Sequence, residues 1–522
     1  MRAIFNHSFA DPWLKVAGQL QRHYGVEPVY WIGYADDDSD RLVRQAFPAA
    51  VYHANFDAWK GVFPKGIEDS SWLNVPEPED YDHYAEHELQ ALQLMDRMDF
   101  DQRSFSYAER RLLFRKFIRC WTFVVEQFGI DALISPNIPH TSFDFPLYLV
   151  CRQKGIRTIS FMNTPFMNCG RILAVSNLYH FPERIRHAFD QKQKTDSKPL
   201  LSEDTYGYLS RINKNYDAAK PVNFQQYNRH HKRKPSVFLT GRKFIYELLG
   251  KDSPWRGRDG WLVRGVPNYH KPDGKDVEHT PIRQKLPCYG AKIFRRIRYL
   301  KRLEAEYRRL TVPPDLTKKY VIMGLHYQPE STTAPRAGLF ADQLYVLELM
   351  ARHLPQDWSI YVKENPKQFN PIAEGNTGRP VRFYRDALKI PRVSFAPHDM
   401  DPFVLIDKAL AVFTVTGTIG WEAMVRGKPV VSFGPSWYEY FSSGVMRIVK
   451  GSDLDSVPTF VERYAYDEGA LHRYLKTIEE QSVCAYFRKG LKQVTGISEA
   501  ECVAALTSCL SSHFDLESSR RT

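Results

Sequence analysis

Apolar and polar positions alternate along this chain in two β/α rhythms separated by an irregular stretch. RAIFNHSF reads as a strand, and Asp11-Pro12 follows as helix cap and first helical residue. WLKVAGQLQRHYG reads as a helix and PVYWIGY as a second strand, so the chain opens β-α-β, the start of a doubly wound unit. A long helical stretch near 85–128, the strand DALISP, a helix around FPLYLVCRQKG and the strand RTISF extend it. The loop SPNIPHTSFDF lies at a strand end.

Between 185 and 290 the rhythm lapses. HHKRKP, GKDSPWRGRDG and HKPDGKDVEHTP are rich in Pro, Gly and charge and read as insertion or loop. Residues 292–309, KIFRRIRYLKRLEAEYRR, are helical and carry eight Lys/Arg against two Glu. The plain reading is a solvated face; the sharper one is a surface for anionic membrane or a lipid-linked acceptor.

From Tyr320 the alternation restarts. YVIMGLHYQPE, SIYVKENP, RVSFAP, LAVFTVT and KPVVSFG read as strands, with helices at DQLYVLELMARHLP, DPFVLIDKA and IGWEAMVRG. The expected fold is α/β, with two Rossmann-like doubly wound domains facing a cleft. The expected parts are an acceptor-side domain at 1–184, an insertion with the basic helix at 185–312, a nucleotide-sugar domain at 313–470 and a helical tail at 471–522. The tail is expected to cross back to the first domain. Ligands of open parallel sheets sit beyond the C-terminal strand ends, which points to the cleft.

Composition narrows the partners. The 522 residues exceed one compact core, and 43% hydrophobic with 25% charged residues is ordinary for a globular chain. A net charge of +12 calls for an anionic partner: phosphorylated substrate, anionic lipid or nucleic acid. No aromatic-basic interleaving of a nucleic-acid module is present, so no nucleic acid is expected. The seven cysteines include no CxxC pair, which argues for a reducing compartment and against a zinc site. With no signal-type segment and no long apolar run, a cytoplasmic protein with at most peripheral membrane contact is expected.

The chemistry concentrates in TVTGTIGWEAMVRGKPVVSFG. LAVFTVT is apolar on both faces, as in a central parallel strand, and Thr416-Gly417-Thr418 then turns the chain into a helix. Unpaired N–H groups at the helix start, two hydroxyls and an unhindered Gly make a pocket for phosphate oxygens. Glu422, about one turn in, is placed for ribose hydroxyls. The competing reading is that threonine here simply caps the helix.

This pattern resembles a motif of bacterial capsule polysaccharide biosynthesis proteins, the group that includes Kdo-transferase-like and related GT-B glycosyltransferases. LHYQPESTTAP, the DQL at 342–344, and YVKENP (the family's VKEHP) agree in order and spacing, and NIPHTSFDFPLYLVCRQKGI is similar to a segment common in these enzymes. The resemblance covers about 320–445. It implies a GT-B fold with donor phosphate on Thr416, Gly417 and Thr418, ribose on Glu422, and a wall of Lys363, Glu364, Asn365 and Pro366. Asn365 replaces the family's His and cannot carry charge, so Lys363 or Arg336 is expected to supply the missing cation.

His326 and Glu330 share one loop and are candidates for acid/base work or acceptor positioning; His140 and Asp144 form a second pair on the acceptor side. Glu330 and Asp144 are the preferred catalytic carboxylates. ADDDSD at 35–40 offers a DxD but reads as a solvated loop, and GT-B enzymes generally work without a bound divalent ion, so no metal is expected. FLTGRKF at 238–244 is a weak candidate for the cleft border.

The expected function is transfer of a sugar from a nucleotide-activated donor, with a CMP-linked acidic sugar as first guess, onto a lipid-linked or polysaccharide acceptor. No cofactor is needed, the nucleotide-sugar being a co-substrate. The alternatives are a CDP-polyol phosphotransferase, a nucleotide-sugar epimerase, or a non-catalytic assembly partner.

Overall fold

In the computed structural model the apolar runs form thirteen strands among the described residues. Those residues are 1–8, 10–34, 37–67, 81–99, 105–164, 170–195, 198–214, 282–328, 330, 332–370, 375–487 and 492–516. The strands are β1 (Arg2–Phe5), β2 (Glu27–Gly33), β3 (Val51–Ala54), β4 (Ala132–Ser135), β5 (Arg157–Asn163), β6 (Arg171–Val175), β7 (Tyr320–Gly324), β8 (Ser359–Lys363), β9 (Val393–Phe395), β10 (Val412–Thr414), β11 (Val430–Ser432), β12 (Val445–Arg447) and β13 (Val483–Cys484).

They assemble as two sheets, ordered β13-β6-β5-β4-β1-β2-β3 and β12-β11-β10-β7-β8-β9. Every pairing in the second is parallel. In the first, only β5–β6 and β6–β13 are antiparallel. Strands covered by helices on both faces need near-continuous apolar sequence. β7 and β10 meet that need, buried at each position. The molecule therefore carries two parallel-rich, Rossmann-like α/β units, called here the first and second lobes.

Register sets up the site. Thr414 pairs with Gly324, and Gly324 with Lys363, so β10, β7 and β8 end level. The loops that follow them, beginning Val415, Leu325 and Glu364, therefore start side by side at the C-terminal edge of the second sheet.

Three local expectations are corrected. ADDDSD enters a helix, Asp37–Ala46, rather than a loop: Asp38 and Asp40 pair with Arg41 and Arg44 one turn on, while Val43 and Phe47 are buried. The start of the irregular stretch is helical at Glu183–Gln193 and Glu203–Lys214. Ile185, Phe189, Leu209 and Ile212 give it an apolar face that joins the second lobe's core. HHKRKP, GKDSPWRGRDG, FLTGRKF and HKPDGKDVEHTP lie outside the described residues. Finally, β3, β6, β12 and β13 escaped the sequence reading; each is short, and two are held only by antiparallel partners.

The C-terminal segment returns to the first lobe. β13 adds to β6, and the helix Glu499–His513 packs on the helix Ala10–Tyr24. Trp13 Nε1 donates to the carbonyl of Phe487 at 3.1 Å. No helix among the described residues is long and apolar enough to cross a membrane.

Candidate functional site

β10 ends at Thr414, and after three turn residues the chain enters the eight-residue helix Thr418–Val425. The turn is tied down from three sides. The Thr416 N–H donates to His326 Nε2 at 2.9 Å, and the Gly417 N–H to Thr414 Oγ1 at 3.0 Å. Tyr438 donates its hydroxyl to the Gly417 carbonyl at 2.5 Å. A side chain at 417 would lie 2.7 Å from Thr414 Oγ1 and 3.2 Å from His326 Nε2, which is why glycine stands there.

These bonds correct the expectation of unpaired amides at Thr416 and Gly417. The amides left for a ligand are those of the helix's first turn, Thr418 and Ile419, which no intrahelical carbonyl serves. Thr418 is exposed; Glu422, expected at the ribose, is only 5% exposed inside the helix. Thr416 turns its hydroxyl to the carbonyl of Thr332 at 3.1 Å, so that side chain clasps the neighbouring loop.

His326 is 5% exposed and lies between the turn and Glu330. An amide N–H only donates, so Nε2 must accept from Thr416, and the neutral ring then carries its proton on Nδ1. Nδ1 lies 3.4 Å from Glu330 Oε2. The pair is thus directional: His326 orients, and Glu330, 31% exposed at its side chain, is the member that reaches solvent. Partial burial pushes the Glu330 carboxyl up, but His326, Lys367 and Thr332 together outweigh it and hold the group below the ordinary glutamate range. Lys367, which sequence reasoning passed over, rests its ammonium 4.7 Å from the Tyr327 ring centre.

The KENP wall behaves differently from its expected role. Lys363 Nζ donates to the carbonyls of Pro397 and His398 at 2.9 and 3.1 Å, and burial lowers its pKa to about 8. Glu364 is buried against Arg379 at 3.0 Å and accepts from Tyr384 at 2.8 Å. Arg379 also donates to the His326 carbonyl at 2.9 Å, so this pair props the loop that follows β7. Asn365 caps the turn Pro366–Phe369 by accepting from the Lys367 N–H at 3.0 Å, with Pro366 first in that turn. Arg336, expected near donor phosphate, instead spans the lobes: its Nε donates to the Leu178 carbonyl at 3.1 Å. Burial lowers its pKa to about 10, partly offset by Glu439.

In the first lobe, Asp144 opens the helix Asp144–Gln153 and is 1% exposed. Its Oδ1 accepts from the N–H of His140 at 2.9 Å and of Thr141 at 2.5 Å. Burial raises its pKa to about 6 against those bonds. The His140 ring donates from Nδ1 to the Ile138 carbonyl, binding its own loop. His7 is the residue the sequence did not disclose. It lies two residues past β1 with φ of 51°, a backbone region unusual outside glycine, and its Nδ1 lies 3.9 Å from Asp144 Oδ2.

The loop after β7 also touches the first lobe. Ala334 joins that lobe's core cluster, and the turn 375–378 packs on 95–98, whose Arg97 donates to the His140 carbonyl at 3.3 Å. Phe181 and Glu439 add a bond between the lobes at 2.8 Å. The first-lobe pair and the second-lobe loop are therefore linked through one continuous set of contacts.

Residues 297–445 match the family described as capsule polysaccharide biosynthesis protein. The match is confined to that segment. It contains β7, β8 and β10, the His326–Glu330 loop and the Thr416–Thr418 corner, as the resemblance in the sequence implied. No curated protein sequence matches the chain. Among solved structures, the β-Kdo 2,7 transferase KpsC of Thermosulfurimonas dismutans is 14% identical, covering 78% of this chain and 97% of its own, at a TM-score of 0.29. Its β-Kdo 2,4 transferase is 11% identical over 67% and 79%, at 0.27. The UDP-GlcNAc 2-epimerase of Neisseria meningitidis, bound to UDP-GlcNAc, is 13% identical over 92% and 99%, at 0.23. Scores this low bear no weight in assigning donor or acceptor.

Proposed function

We propose that the protein is a glycosyltransferase of bacterial surface polysaccharide, capsule or lipopolysaccharide, that uses a nucleotide-activated sugar. One observation carries this reading: the level ends of β7 and β10 bring Glu330, His326 and the start of the helix Thr418–Val425 together inside the family-matched segment. Donor phosphate sits on the Thr418 and Ile419 amides and the Thr418 hydroxyl, where the helix dipole favours negative charge. Lys367, two residues beyond Asn365, supplies the cation that position 365 lacks.

Glu330 takes the proton of the acceptor hydroxyl as that oxygen bonds to the anomeric carbon. The bond from that carbon to the donor phosphate oxygen breaks, and the nucleotide leaves with the electron pair. His326 holds Glu330 in place through Nδ1 and is a positioning residue. Asp144, capped by two amides, serves as acceptor-side scaffold. A CMP-linked acidic sugar is the first donor to test, and a lipid-linked or polymeric glycan the first acceptor. No metal or cofactor is needed in this scheme.

The test is a thermal-shift series with CMP, CDP, UDP and GDP on wild type and Thr418→Asp, since a ligand that binds the native state raises its Tm. One nucleotide class is expected to stabilise wild type and to lose that effect in the variant, whose far-UV circular dichroism stays unchanged. An undiminished shift in Thr418→Asp removes the corner from the donor site. Incubation with donor alone separates the reactions: a new epimer formed without acceptor makes the protein an epimerase.

A further inference from the structure

The helix Ile282–Leu310 joins the second lobe through a narrow inner face. Arg296, Leu300, Leu303, Glu306 and Tyr307 are buried there. Tyr307 donates to the Ala396 carbonyl at 2.7 Å and accepts from the Glu364 N–H at 3.2 Å, fixing the helix beside the end of β8. From Phe294 onward, the exposed residues of this helix are Phe294, Arg295, Arg298, Lys301, Arg302, Ala305, Arg308 and Arg309. At 3.6 residues per turn these eight fall within an arc of about 140°, on a stripe about 22 Å long.

Six of the eight are Lys or Arg, and the stripe contains no acid. The two glutamates of this stretch lie at its margins and face its C-terminal end: Glu304 pairs with Arg308, and buried Glu306 with Arg309 and Arg385. The positive field is therefore concentrated over the two turns from Arg295 to Arg302. Phe294, 64% exposed, stands at the head of that concentration.

We propose that this stripe is a docking surface for an anionic lipid bilayer. Cations spread along a flat helix face match a plane of phosphate headgroups, each Lys or Arg near such a surface contributing attraction that fades within a Debye length. An exposed aromatic beside them enters the boundary between headgroups and acyl chains, which a purely electrostatic partner does not reward. Since the helix is bonded to the end of β8, docking sets the C-terminal edge of the second sheet at a fixed position relative to the lipid. The surface stands independently of the proposed transfer reaction, because its test reads binding alone.

The experiment is co-sedimentation of the full chain with phosphatidylcholine vesicles, pure or containing about one-third phosphatidylglycerol. Wild type is expected to bind the anionic vesicles, to lose binding as salt rises, and to ignore the neutral ones. Replacing Arg295, Arg298, Lys301 and Arg302 together with Gln is expected to weaken binding about tenfold or more, while Lys318→Gln with Lys319→Gln leaves it unchanged. Phe294→Ser is expected to weaken it further without altering binding to dextran sulfate. Far-UV circular dichroism and Tm matching wild type show that the exposed substitutions leave the fold intact. Wild type that stays in the supernatant, or a quadruple variant that binds like wild type, overturns the proposal. So does a Phe294→Ser variant that binds vesicles as wild type does, which makes the stripe a general polyanion site.

Discussion

Glu330 lies on the loop after β7 and Asp144 at the start of the helix Asp144–Gln153, and their surroundings hold the two carboxylates differently. Glu330 is partly open and held below the ordinary glutamate range, so it stays ionised and ready to accept a proton at neutral pH. Glu330→Gln should lower turnover by about a hundredfold or more while donor affinity changes little, measured by steady-state kinetics against nucleotide titration. A loss confined to affinity makes Glu330 a binding residue instead. Asp144 is sealed in, with its pKa raised to about 6 by burial. The folded state then binds this proton more tightly than the unfolded chain does, so the stability it contributes is full below pH of about 4 and is lost as pH rises towards 6. Asp144→Asn should remove up to about 3 kcal/mol of that pH dependence, read from Tm at several pH values.

At the scale of the element, the corner of the second sheet depends on atoms that close in from other parts of the chain. The helix Thr418–Val425 is short and buried on nearly every side, so its start is set by packing. Gly420 faces the Tyr438 hydroxyl so closely that an added methyl group would overlap it, and that hydroxyl also bonds to Gly417. Gly420→Ala should cost about 1–3 kcal/mol in chemical denaturation. Tyr438→Phe in the same chain should recover part of the loss, whereas no recovery places the strain elsewhere. The KENP wall teaches the same lesson. Its sequence announced a ligand-facing run, but Glu364 points into the core towards Arg379 and Lys363 towards two carbonyls. Residue type alone does not say which face of a strand end is lined by protein.

The whole molecule is joined by segments far apart in the chain. The first lobe's outer layer includes Ala485, Tyr486, Phe487, Val503, Leu506 and Leu510 from the C-terminal segment, packed on Trp13, Val16 and Leu20. A chain ending at residue 481 should expose that apolar face and aggregate, seen by light scattering or loss from the soluble fraction. A monodisperse truncated chain shows that the first lobe is complete without the segment. The lobes also share Arg336 and Glu439, whose bonds to Leu178 and Phe181 tie them to each other.

By itself the sequence determined that two β/α alternations exist, that β7 and β8 are strands and β10 a buried central one, and that Thr416-Gly417-Thr418 turns a strand into a helix. Those features rest on local periodicity and turn chemistry, which a contiguous stretch carries. Only the tertiary structure decided that the Thr416 and Gly417 amides are already taken, that Arg336 bridges the lobes, that His7 meets Asp144 and that the C-terminal segment completes the first sheet. Each of these is a contact between groups far apart in the chain, and it exists only once the sheets have brought them within bonding distance.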